Sequence, residues 1–213
     1  MSIDPEELTI YVVACGSLPY FEITLPIIEE YAKTHGYKFG LITEHPKDRR
    51  SPHWQKIMAT RVCKTEVALV IDADIMPFPW AQPVHDFLSK DAISLCRDNG
   101  IFDGWNTGVW AMPRCWWDEL NLFYENKFDP NKAIFYYEQG PFNSHIEENE
   151  IPINSLPDSF NLIYGGIYGT RYRKMEANKD KCNFLHFAGP KRALSMNVAE
   201  KRWYKERRLE RLK

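Results

Sequence analysis

The chain has 213 residues, of which 44% are hydrophobic, 26% charged and 14% aromatic, with seven Trp and a formal net charge of −2. That length suits one domain able to bury most of the surface its unfolded chain exposes, so the chain needs no covalent staples. No window approaches the ~18 apolar residues of a membrane span, and the N-terminus MSIDPEE lacks the basic and apolar regions of a signal peptide, so no membrane span or anchor is expected.

Five Cys (15, 63, 96, 115 and 182) are an odd number without CxxC spacing, several of them inside apolar runs. Buried free thiols in a reducing, cytoplasmic compartment are the simplest account. Charge is segregated, because Lys191–Lys213 carries nine basic and three acidic residues and leaves residues 1–190 at a net −8. The tail also holds Leu194, Val198, Trp203 and Leu209 at helical intervals, which favours the solvated face of a packing helix over a nucleic-acid or membrane surface.

Leu8–Cys15 (LTIYVVAC), bounded by Gly16-Ser17, is a continuous apolar run and reads as a buried parallel strand. The periodic stretch from Phe21 to Thr34 reads as a helix starting near Thr24, with Pro26 in its first turn and Gly36 closing it. Tyr37–Thr43 is a second strand, His53–Lys64 a second helix, and Val67–Ile71 (VALVI) a strand running straight onto Asp72-Ala73-Asp74. This β-α-β-α-β alternation predicts an α/β fold, with a mostly parallel central sheet and helices on both faces. Ala92–Cys96 and Thr107–Met112 add strands, and Arg114–Glu125 a helix. From Asn126 onward Pro130, Gly140-Pro141, Pro152, Pro157 and Gly165-Gly166 break the pattern into mixed strands and loops. Asn183–Ala188 (NFLHFA) is a late strand, and a basic helix from about Ala193 ends the chain. Nothing divides residues 1–213 into separate domains.

Ligands of an open α/β sheet collect at the carboxyl ends of its strands, where Asp72 and Asp74 stand. Two carboxylates flanking one small residue can meet a divalent cation from one side, and their oxygens suit Mg²⁺ or Mn²⁺, which keep positions for water and phosphate. Asp-x-Asp also occurs as a plain strand-end turn, so its context matters: a helix-strand pair before it, Pro77 after it and a His in a later segment.

Val70-Ile71-Asp72-Ala73-Asp74, Asn106-Thr107-Gly108-Val109-Trp110, Glu138-Gln139 with Asn143, Leu156-Pro157-Asp158-Ser159-Phe160-Asn161 and His186-Phe187-Ala188-Gly189 follow one another in an order that resembles the retaining GT-A glycosyltransferases. The glycogenin-like and galactosyl/xylosyltransferase-like families are most similar, and Tyr31-Ala32-Lys33, His35-Gly36-Tyr37 and Trp54 with Lys56-Ile57 resemble the latter branch in particular. The order is also similar to glycosyltransferase domains carried by larger chlorella-virus proteins. Such a likeness implies a host-cytoplasmic location and further domains beyond Lys213.

The resemblance implies a GT-A (Rossmann-like) fold, with a nucleotide-binding half over about 1–105, a donor-sugar and acceptor half over 106–192, and the basic helix over 193–213. It implies metal ligation by Asp72, Asp74 and His186, with Mn²⁺ or Mg²⁺ as cofactor; an imidazole beside two carboxylates favours Mn²⁺. Donor contacts are expected at Ala14, Cys15 and Tyr20 around the base, Lys56 and Arg61 near ribose or phosphate, Asp72 and Ala73 at the turn, and Asp103, Asn106, Thr107 and Gly108 near the sugar. Gly189 and Lys191 match the diphosphate-binding turn, although Pro190 intervenes and Arg192 is a second candidate for that contact. Glu138 and Gln139 occupy the acidic-Gln position beside the reacting carbon, where the family commonly has Asp-Gln.

The implied activity is transfer of a hexose or deoxyhexose from a nucleotide diphosphate-sugar, a UDP-sugar by resemblance, to a glycan or glycoprotein acceptor with retention. An inverting enzyme would instead need a carboxylate base, for which Asp158, Glu138 and Asp103 are candidates. A nucleotidyltransferase is the first alternative, but Cys15-Gly16-Ser17-Leu18-Pro19 has one Gly and no basic residue where that class needs a Gly-rich, basic loop. A non-catalytic nucleotide- or carbohydrate-binding module is the second, and the intact Asp72, Asp74 and His186 weigh against it.

Overall fold

A computed structural model describes residues 3–46, 50–98, 104–126, 138–163, 182–188 and 196–197. Its central sheet has six strands: β1 (Leu8–Val13), β2 (Lys38–Ile42), β3 (Val67–Ile71), β5 (Ile93–Arg97), β6 (Trp105–Pro113) and β7 (Ile153–Leu156), in the order β2-β1-β3-β6-β5-β7. β1 is parallel to β2 and β3, β7 is parallel to β5, and β6 alone runs antiparallel to its neighbours. The expectation of a mostly parallel sheet therefore holds with one reversed strand. A small sheet, β4-β9-β8, joins Ile75–Pro77, Phe184–His186 and Leu162–Ile163.

β3 reads as an unbroken apolar run because both of its faces are covered. Val67, Leu69 and Ile71 pack with Ile27, Ile28 and Tyr31 of α1 (Phe21–Thr34), whereas Ala68 and Val70 join the opposite core with α3 (Trp117–Asn126) and α4 (Gln139–Glu148). The edge strand β2, over Lys38–Ile42, buries only Ile42 and is accordingly mixed in sequence.

Three elements differ from expectation. α1 starts at Phe21, so Pro26 lies inside the helix and not in its first turn. Both Pro26 and Glu22, whose carbonyl loses its partner, are on the exposed side, where water can replace the missing donor. The helix expected over His53–Lys64 is a 3-10 segment, Pro52–Met58, followed by one α-turn, α2 (Ala59–Val62). Trp54, Gln55, Lys56 and Ile57 are all buried, and a one-faced α-helix cannot bury four successive residues. α4 stands where loops were expected, since Gly140-Pro141 falls in its first turn, where Pro removes no intrahelical bond. The expected C-terminal basic helix falls almost wholly outside the described residues, and no described helix is long and apolar enough to cross a membrane.

Candidate metal centre and donor cleft

The carboxyl end of β3 turns sharply at Asp72-Ala73-Asp74. Asp72 N–H donates to the Gly108 carbonyl (2.8 Å) and Ile75 N–H to the Asp72 carbonyl (2.9 Å), closing the turn against β6. The Thr24 hydroxyl of α1 donates to the Ala73 carbonyl (2.6 Å), and Phe187 N–H to the Asp74 carbonyl (2.8 Å). Held from three sides, both carboxylates stand close to His186, which β9 brings opposite Ile75. One donor atom each from Asp72, Asp74 and His186 lies within 4.8 Å of the others, and His186 Nε2 is 3.3 Å from Asp74 Oδ1.

His186 fits only because residue 108 is glycine. A Cβ on Gly108 would stand 2.9 Å from His186 Cε1 and 3.0 Å from Nδ1. Burial opposes charge on the imidazole, but Asp74 and then Asp72 outweigh it and raise the ring above its ordinary pKa.

The cationic counterweight is Lys56. Its Nζ is 2.7 Å from Asp72 Oδ1, 2.7 Å from Glu138 Oε1 and 3.1 Å from the Thr107 carbonyl. Burial alone would lower this ammonium, yet Asp72 and Glu138 hold it above the usual lysine range. Burial raises Asp72, opposed by Lys56 and reinforced by Asp74. Asp72 is also the more open partner, with 20% of its side chain exposed against 3% for Lys56. Its free edge therefore faces a cleft of about 310 Å³. Val13, Cys15, Leu18, Tyr20, Phe21 and Pro52 are among the cleft's apolar lining, and Lys56, the Asp72-Ala73-Asp74 turn, Asn106, Thr107, Glu138, Gln139 and His186 among its polar lining.

No protein-family model matches the sequence, and no curated protein does. Solved structures do. A glycosyltransferase involved in glycosylation of the major capsid of chlorella virus PBCV-1 superposes with a TM-score of 0.71, at 19% identity, over 91% of this chain and 98% of that one. The fold is that of the GT-A glycosyltransferases. The glycosyltransferase GlyE of Streptococcus pneumoniae TIGR4 follows with a TM-score of 0.62, at 12% identity, over 93% of this chain and 63% of its own. The galactosyltransferase LgtC, solved with donor and acceptor sugar analogs, gives 0.51, at 12% identity, over 85% and 87%.

On this GT-A frame the expected residues fall into four groups. Cys15, Tyr20, Lys56, Asp72, Ala73, Asp74, Asn106, Thr107, Glu138, Gln139 and His186 all line the one cleft. The Cys15 thiol donates to the Glu44 carbonyl (3.1 Å), with its pKa raised by burial, and Tyr20 is largely sunk in the core. Ala14 and Gly108, though expected at the cleft, do not line it. Arg61 turns onto α3, where it bonds Asn121 and Glu125 (2.9 Å), and Asp158 is exposed; neither lines the cleft. Asp103, Gly189, Lys191 and Arg192 lie outside the described residues.

Two further residues hold the site from behind, Asp98, which with Arg97 is a candidate sugar-hydroxyl or acceptor partner in the sequence, and Asn161. Asp98 accepts from Gln139 Nε2 (2.9 Å) and Asn106 Nδ2 (3.4 Å), and Asn161 Oδ1 stands 2.9 Å from His186 Nδ1. Asn161 belongs to the Leu156–Asn161 motif, so its place was marked although its partner was not.

Proposed function

We propose that the protein is a metal-dependent glycosyltransferase that moves a hexose or deoxyhexose from a UDP-sugar to a glycan or glycoprotein acceptor with retention. The observation that carries this is the convergence of Asp72, Asp74 and His186 in a cleft lined by both apolar and polar side chains. Two carboxylates and one imidazole suit Mn²⁺, and Mg²⁺ less well. A cation held there would offset charge gathering on a departing diphosphate.

The chain's own groups divide the remaining tasks. The apolar lining supplied by Val13, Cys15, Tyr20 and Pro52 suits a flat base, with uridine favoured by family resemblance. Lys56 gives Asp72 and Glu138 a shared counter-charge in a buried place and sets the Asp72 carboxylate against the turn. Glu138 receives the Thr107 hydroxyl (2.8 Å) as well as Lys56, which commits its side chain to structure. Gln139, whose Oε1 accepts from Thr107 N–H (3.2 Å), stands over the polar end without being a strong nucleophile. Among the described residues the carboxylates lining the cleft are Asp72, Asp74 and Glu138, all engaged, which supports attack by the acceptor oxygen on the face the diphosphate leaves. As the bond from sugar to acceptor oxygen forms and that to phosphate breaks, a departing phosphate oxygen takes the acceptor's proton.

The test is UDP release from a panel of UDP-sugars, with and without Mn²⁺ and acceptor glycans. One or more donors should be turned over in a metal-dependent way, and Asp74→Ala should cut the rate by roughly a hundredfold or more. Turnover indifferent to metal and to Asp74→Ala would refute the proposal.

A further inference from the structure

Behind the two carboxylates runs a row of buried amides whose hydrogen bonds have one consistent direction. Gly108 N–H donates to Asn106 Oδ1 (2.8 Å), and Asp98, which can only accept, takes Asn106 Nδ2 (3.4 Å), so the Asn106 amide cannot be reversed. Asn161 must therefore donate to that oxygen, and its Nδ2 lies 2.7 Å away. Its own Oδ1 is then turned to His186 Nδ1 at 2.9 Å. An amide oxygen accepts only, so Nδ1 carries the hydrogen and Nε2 is the nitrogen presented to Asp74. Asn106, Asn161 and His186 are each no more than 7% exposed, so water is poorly placed to substitute for any link. Burying amides is costly unless every bond is made, and here the bonds end on the imidazole.

Resting on the assignment of Asp72, Asp74 and His186 as cation ligands, we propose that Asn161, itself oriented by Asn106, is a positioning residue that fixes the His186 ring with Nε2 toward the metal. Partners behind a ligating His commonly change metal affinity 10–100-fold when removed. The direction of the row originates in the backbone N–H of Gly108, the same residue whose missing Cβ admits the ring.

Mn²⁺ alone is the probe, its uptake followed by loss of the free-ion paramagnetic resonance signal. Wild type, Asn161→Ala, Asn106→Ala and His186→Ala are compared, together with each Asn variant combined with His186→Ala, and thermal unfolding checks that each is folded. Asn161→Ala should weaken uptake roughly 10–100-fold and have no further effect once His186 is gone. Asn106→Ala should do the same more mildly, and it carries the test if Asn161→Ala does not fold. An Asn161→Ala variant that binds like wild type, or that weakens binding equally without His186, overturns the positioning role. If wild type takes up no Mn²⁺, or His186→Ala is without effect, the metal assignment itself falls and this role with it.

Discussion

Lys56 shows how one side chain can hold a site together. Its ammonium is enclosed with Asp72 and Glu138, each 2.7 Å away, and the Thr107 carbonyl. Replacing it by Met leaves two carboxylates facing one another without a counter-charge, for which about 3–5 kcal/mol of lost stability is expected in urea unfolding. Glu138→Gln in the Lys56→Met background should restore part of it. At Gly108 the expectation is steric: Gly108→Ala places a methyl 2.9 Å from His186 and 2.8 Å from Asn106 Oδ1. Overpacking of that kind costs about 1–3 kcal/mol, and Mn²⁺ uptake should drop at least roughly tenfold because the ring must leave. Unchanged uptake would show that His186 does not need its present position. At this scale the sequence disclosed the charged and ligating residues, because Asp-x-Asp at a strand end and a His in a late strand have readable chemistry. It did not disclose that Lys56 meets Glu138, 82 positions on, or that Asn161 backs His186. Such pairings arise from topology, and a motif that marks the place of an Asn does not name its partner. Arg61 shows the reverse case, being basic and on the expected segment, yet turned toward α3.

At the scale of elements, local patterning succeeded wherever burial was simple. β3 matches its expected bounds because five successive apolar residues have one sensible location, between two layers. The segment Pro52–Met58 was misread because it is buried on more than one side, and α4 because Pro141 looks like a breaker although it sits where the helix has no bond to lose. The end of α1 offers a pH test. The His35 ring stacks on Tyr37 with centroids 5.7 Å apart and places Nε2 3.2 Å from the Ala81 carbonyl; burial holds its pKa below the ordinary value. A depressed folded-state value means the unfolded chain binds the proton more readily. The stability His35 contributes is therefore complete above the unfolded pKa of about 6.5 and is lost as pH falls through it. Urea midpoints should decline between about pH 7.5 and pH 5, and less so in His35→Gln; equal declines in both would assign the effect to other groups.

For the molecule as a whole, two hydrophobic cores share one sheet, and β3 feeds both, Leu69 into one and Val70 into the other. Neither core can be lost while the other keeps its wall. Unfolding should thus be a single transition by fluorescence and by far-UV dichroism, with Leu69→Ala shifting both together by about 2–5 kcal/mol. Separated transitions would mean that the layers are independent. The alternating segments up to Ile71 made this layered α/β arrangement legible, whereas the reversed β6 and the small β4-β9-β8 sheet depend on pairings between distant segments. The small sheet delivers His186 to the end of β3, so the candidate centre is a product of the complete fold. Calorimetric titration of UDP, with and without Mn²⁺, on wild type and Asp74→Ala tests that centre most directly. Binding that requires Mn²⁺ and disappears in Asp74→Ala is the predicted result; UDP binding of equal strength without metal, or in the variant, would contradict it.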